Sequence, residues 1–175
     1  MNSHLLSRRS WALALGSVCL LLTLAGISSR SVAADELERA YTEVIDQPSL
    51  LTQVERTEIA RMVADHNKQG LGLIKVLIVS RLPPSMSIEA YAARVLQDEL
   101  SLSDRRADRV LLVLAIGERK VRIEVSSAIW SILPDQFCKK VIEREMTPQF
   151  RRTQYFAGLH AGLAALIGRL DEPTR

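Results

Sequence analysis

A three-layer αβα sandwich, with helices on both faces of a mixed, mainly parallel sheet of about four strands, is the α/β fold this sequence predicts. Three observations carry the prediction. Two short apolar runs, Leu73–Val79 and Val110–Ile116, flank one amphipathic stretch, the order of a parallel strand–helix–strand crossover. A third run, Val121–Val125, alternates strictly and follows a turn at Gly117-Glu118-Arg119-Lys120, which makes a hairpin with one wet face. Helical periodicity recurs before, between and after these strands.

Residues 1–34 precede the fold and read as an export signal. Arg8 and Arg9 form a basic start, and Trp11–Ile27 is apolar or small with no charge. Ser31-Val32-Ala33 and Val32-Ala33-Ala34 both offer the small-x-small pattern of a cleavage site. Ser7-Arg8-Arg9-Ser10-Trp11 is close to a twin-arginine signal. Cleavage is the expectation. The alternative is a retained anchor, because 17 uncharged residues flanked by Arg8, Arg9 and Arg30 can just span a bilayer. Cys19 lies inside the apolar run without a lipobox, which argues against a lipoprotein.

The leader also carries the basic excess. Lys and Arg total 23 in the 175-residue chain, and Arg8, Arg9 and Arg30 are in the leader, whereas all 20 acidic residues follow it. What remains is neutral overall, so no nucleic-acid partner is expected. One cysteine, Cys138, is left, so no internal disulfide forms after cleavage.

Residues 35–43 read as a lead-in. Val44 to Leu51 is extended and turns at Pro48. Thr52-Gln53-Val54-Glu55 is a capping box and opens a helix to about Lys68, ended by Gly70 and Gly72. Leu73–Val79, nearly all apolar, suits a strand covered on both faces. A Pro83-Pro84 loop leads to a second helix from Ser87-Ile88, which fades near Ser101. After the hairpin, Pro134-Asp135 starts a third helix to about Met146. A last helix, Phe150–Leu170, is rich in small residues that allow close packing, and residues 171–175 form a tail.

Chemistry-bearing residues are sparse. His66 and His160 have no Ser, Cys or carboxylate at a triad or zinc spacing, and no phosphate-binding glycine loop is present. Cys138, in the third helix, reads as a buried small residue. One constellation has a topological basis. The hairpin places Asp108 opposite Ser127 and Ala128, with Asp135 close behind, and Asp46 joins them if its segment runs along the same edge. Oxygens meeting at strand ends make a hard-cation or anion pocket. In the alternative, Asp135 caps its helix and Asp108 pairs with Arg106 or Arg109.

From about Val44 to Leu170 the chain resembles the TPM domain. That family includes the thylakoid-lumen acid phosphatase and photosystem II repair proteins of plants, and many bacterial envelope proteins. Val44-Ile45-Asp46-Gln47-Pro48-Ser49-Leu50-Leu51-Thr52 resembles the opening V-x-D-x-A-G-L-L-S, and Ser87-Ile88-Glu89-Ala90-Tyr91-Ala92 resembles S-I-E-D-Y-A. Val110–Leu114 and Arg119–Val125 match the hairpin V-L-L-L-V…R-K-V-R-I-E-V. Pro148-Gln149-Phe150-Arg151 and Tyr155–Leu159 match P-x-F-R…Y-x-x-G-L. The resemblance implies an αβα sandwich in an exported or membrane-tethered setting.

It also carries over Asp46, Glu124 and Asp135 as acidic positions, and with Asp108 they form the candidate cation or anion pocket. Bound Ca or Mg is what the family implies there. The departures lie at the same place. Ala107-Asp108-Arg109 stands where the family reads D-N-G, and Ser126–Asp135 replaces G-Y-G-L-E-G-x-x-x-D. Arg109 brings a positive charge where a cation is expected. The replacement is more apolar, so Ile129, Trp130, Ile132 and Leu133 read as a partner surface. Two functions follow as expectations. The first is a non-catalytic accessory module, periplasmic or in the cell envelope, that binds a membrane or envelope protein complex. The second is a divalent-cation-dependent acid phosphatase with a degenerate site.

Overall fold

A computed structural model describes residues 43–69, 71–102 and 108–172. The leader, most of the lead-in, the approach around Arg106 and the end of the tail lie outside the described residues. No helix among the described residues is long and apolar enough to cross a membrane.

The elements run β1 (Val44–Asp46), α1 (Gln53–Gln69), β2 (Leu73–Val79), α2 (Ile88–Leu102), β3 (Arg109–Ala115) and β4 (Lys120–Val125). A 3-10 turn (Ser127–Ile129), α3 (Asp135–Val141), a π turn (Ile142–Met146), α4 (Thr147–Phe150) and α5 (Tyr155–Leu170) follow. The sheet has four strands in the order β1-β2-β3-β4. The first three are parallel and β4 is antiparallel to β3. The mixed, mainly parallel α/β sandwich read from the sequence is therefore the fold. The Val44 segment is a short edge strand, its Val44 opposite Val76.

Alternation along the strands divides the interior in two. Ile74, Val76, Ile78, Val110, Leu112, Leu114 and Ile123 face the larger core, covered by α1, α3 and α5. Leu77, Val79, Leu111 and Val113 face α2 alone, through Ile88, Ala92 and Leu96. Strands β1, β2 and β3 step one way across the sheet, yet α1 and α2 lie on opposite faces. The two crossovers therefore have opposite hands, and only one obeys the right-handed rule.

Local chemistry sets the boundaries. Thr52 and Glu55 form the capping box at α1, with Thr52 N–H donating to Glu55 Oε2 at 2.8 Å and Glu55 N–H to Thr52 Oγ1 at 3.3 Å. The bonds from the Thr52 backbone and hydroxyl hold the Glu55 carboxyl below its ordinary range. Thr52→Ala is expected to cost about 1 kcal/mol, measured by urea denaturation near neutral pH. A group with a lowered folded pKa stabilises above its unfolded value of 4.5 and loses that effect as pH falls. The difference between Thr52→Ala and the parent should therefore shrink in acid.

At the far end of α1, Asn67 acts as a surrogate strand partner. Its Oδ1 accepts Ile74 N–H at 2.8 Å and its Nδ2 donates to Ile74 O at 3.0 Å. His66 is buried beside it, with Nε2 donating to Leu71 O at 2.7 Å. Its Nδ1 stands 3.3 Å from Asp171 Oδ1, in range for an ion pair but not aligned for a hydrogen bond. These two side chains clamp the helix end to the start of β2.

The last helix begins at Tyr155 and not at Phe150. Thr153 N–H bonds Phe150 O at 3.0 Å and Gln154 N–H bonds Gln149 O at 3.0 Å, around Thr153 at φ 59°. That pair of bonds is a Schellman stop, here with Thr where glycine is usual. The π turn before α4 also has a cause, since Pro148 has no N–H to return to the preceding turn.

Candidate functional site

The four acidic residues read as one pocket occupy two ends of the sheet. Asp46 closes β1 opposite Ile78, at the carboxyl end of the parallel strands. Asp108 immediately precedes β3, at the amino end, where Ser126 N–H bonds Arg109 O. β1 and β4 are opposite edges of the sheet, so the Asp46 segment does not run beside the hairpin. The expectation that Asp46 joins Asp108 and Asp135 is therefore corrected. It assumed the wrong edge and the wrong end.

Each carboxylate has its own employment. Asp46 is 8% exposed and accepts Leu50 N–H at Oδ1 (3.0 Å) and Leu51 N–H at Oδ2 (2.9 Å). It closes the turn that carries the chain from β1 to α1. Asp108 Oδ2 accepts Gly72 N–H at 2.8 Å and so fixes the approach to β2. Gly72 needs its left-handed φ of 67° there, and a Cβ would meet Leu170 at 2.9 Å. Glu124 is paired with Arg122, Oε2 to Nη2 at 2.7 Å, on the face of β4 toward α2. Asp135 is exposed in the first turn of α3, where the helix dipole suits it, while Pro134 holds the cap position.

This donor set does not fit a hard cation. Both Asp46 oxygens already serve amides, and Glu124 is neutralised by Arg122. Among the described residues, no group of three or more His, Cys, Asp or Glu side chains could hold a metal ion.

The apolar candidate surface is corrected as well. Ile129 is 2% exposed and Leu133 is fully buried; both belong to the larger core. Ile132 is half-buried, and its carbonyl accepts Arg169 Nε at 3.2 Å. Only Trp130 of the four is exposed, at 59%. The 3-10 turn ends at Ile129 and a further turn carries the chain to Pro134, so the apolar tetrad sends Ile129 and Leu133 inward, leaves Ile132 half-buried and sets the indole outward. That indole is held in place, since Nε1 donates to Val125 O at 3.1 Å. Leu71, also exposed at 41%, lies at the same end of the sheet, next to the start of β2.

Other polar groups are structural. Burial pushes the Cys138 thiol up to about 11, with Asp135 adding in the same direction, so it is not a thiolate near neutral pH. On the α2 face, Lys75 Nζ meets Glu99 Oε1 at 2.7 Å, with Arg109 Nη1 4.0 Å from Glu99 Oε2. Burial raises the Glu43 carboxyl beside this group, against the lowering pull of Lys75 and Arg109.

A family model described as the TPM domain matches residues 44–169. A solution structure of the N-terminal domain of a protein from P. gingivalis superposes with a TM-score of 0.68 at 22% identity, covering 78% of this chain and 86% of that one. The BA42 protein of the psychrophilic bacterium Bizionia argentinensis superposes with a TM-score of 0.58 at 20% identity, covering 69% and 81%. At these identities the two structures speak to the fold alone. No curated protein matches the chain.

Proposed function

The chain belongs to the TPM domain family, and from that premise we propose that it is a non-catalytic binding module for a membrane or envelope protein complex. The observation that carries this reading is Trp130: a large apolar side chain, 59% exposed, yet pinned by a hydrogen bond and carried on a turn anchored by buried Ile129 and Leu133. A preorganised indole loses little conformational entropy on contact, and tryptophan is enriched among interface hot spots. The leader adds to the reading, because export would place such a module in the envelope, released by cleavage or held by its own anchor. A divalent-cation phosphatase needs the four carboxylates to converge, and they are spread over both ends of the sheet, each with a structural partner or a helix dipole.

Trp130→Ala tests the module. The side chain is mostly in solvent, so the variant loses one hydrogen bond and little packing, about 0.5–1.5 kcal/mol. Its melting temperature should stay close to that of the parent. Capture of membrane proteins by the tagged full chain, after cross-linking in its host, should fall by about tenfold or more. Undiminished capture by a stable Trp130→Ala chain would remove the basis of the proposal.

A further inference from the structure

We propose that a cavity at the carboxyl end of the sheet, opposite to Trp130, binds a small organic carboxylate with an aromatic or apolar body. The cavity holds about 540 Å³, within the roughly 300–1,000 Å³ range of small-molecule sites. Its floor is Leu114 and Val121, a register pair of β3 and β4. Its wall is the tilted ring pair of Phe150 and Tyr155, with centroids 5.8 Å apart. The carboxyl end of parallel strands is where open α/β sheets hold ligands.

The charge is of one sign. Arg119 enters from the hairpin and Arg151 from the turn after α4, and no acidic residue lines the cavity. Among the described residues, neither guanidinium has an ion-pair or hydrogen-bond partner. Lys120 also borders the space, but strand alternation turns it toward the α2 face of the sheet. The nearby Glu118 carboxylate is engaged elsewhere, accepting Leu82 N–H at 3.3 Å. Both rims sit on left-handed residues, Arg119 itself (φ 53°) and Thr153 (φ 59°), so two strained turns border one space.

Two planar forks over an aromatic wall match a planar carboxylate on a ring. A phosphate would be better served by a glycine-rich cradle of backbone amides, which this hairpin does not build. No carboxylate or histidine lines the cavity to act as a base, so the expected event is binding without chemistry.

The test uses the full chain, with phthalate and benzoate as probes followed by calorimetry and amide chemical shifts. Phthalate should bind more tightly than benzoate, lose affinity with added salt, and shift amides around Arg119 and Tyr155. Arg119→Gln and Arg151→Gln should each weaken it by about tenfold. Both side chains are exposed, so folding should be retained, checked by an unchanged melting temperature. Arg152→Gln, a neighbouring exposed arginine outside the lining, should change it by less than about twofold. The proposal is overturned by no binding of phthalate, by affinity undiminished in both arginine variants, or by tighter binding of phenyl phosphate, inorganic phosphate or an acidic peptide. Because Trp130 lies at the other end of the sheet, Trp130→Ala should leave phthalate affinity intact. Failure here and failure of the partner-binding reading are thus separate results.

Discussion

Asp46→Ala is expected to lower stability by about 2–4 kcal/mol, because it strands two backbone donors in a buried turn. Leu50 and Leu51 N–H groups both point at this carboxylate, and Leu51 is part of the larger core. Asp46→Asn keeps one good acceptor and should cost less. Urea denaturation with an unchanged m-value is the measurement. Its value is diagnostic as well as energetic. If Asp46 is a structural residue, loss of stability is all that follows. Phosphatase turnover in the parent that disappears in a stably folded Asp46→Asn chain would show instead that a working catalytic site had been discarded.

The second large effect should come from Leu112→Ala, at about 2–5 kcal/mol. Leu112 is fully buried in the central strand β3, between Val76 and Ile123 in register. Three helices cover its face, so the surroundings cannot close over the lost methyls. Leu111, one residue earlier, faces α2 alone. A single helix can settle toward the sheet, so Leu111→Ala should fall at the lower end of the same range. Equal losses at the two positions would contradict the division of the interior into a thick and a thin layer.

The elements whose signal is local were legible in the sequence. Leu73–Val79 is a strand because a short, β-branched, apolar run buried on both faces has no other stable use. The capping box at Thr52 and the strict alternation of β4 also needed no tertiary information. The hairpin register followed from the turn: Val110 pairs with Val125, and continuing that register sets Asp108 opposite Ser127, as the sequence reading expected. The break before α5 was not legible, because a Schellman stop normally announces itself by glycine and here uses Thr153. His66 also carried no sequence signal for its role, since its partners are backbone carbonyls that any residue supplies.

The sequence by itself determined the fold class and the family. Those depend on composition and on periods of a few residues. Only the tertiary structure decided which residues meet. It put Asp46 on the edge strand away from the hairpin and at the end of the sheet opposite to Asp108, because strand order is settled by how whole layers pack, and no local pattern records it. It sorted Ile129, Trp130, Ile132 and Leu133 into core and surface, because consecutive tight turns aim neighbours in different directions. It also brought Arg119 and Arg151, 32 positions apart, to one cavity at the end of the sheet, a meeting that comes from chain return and not from spacing.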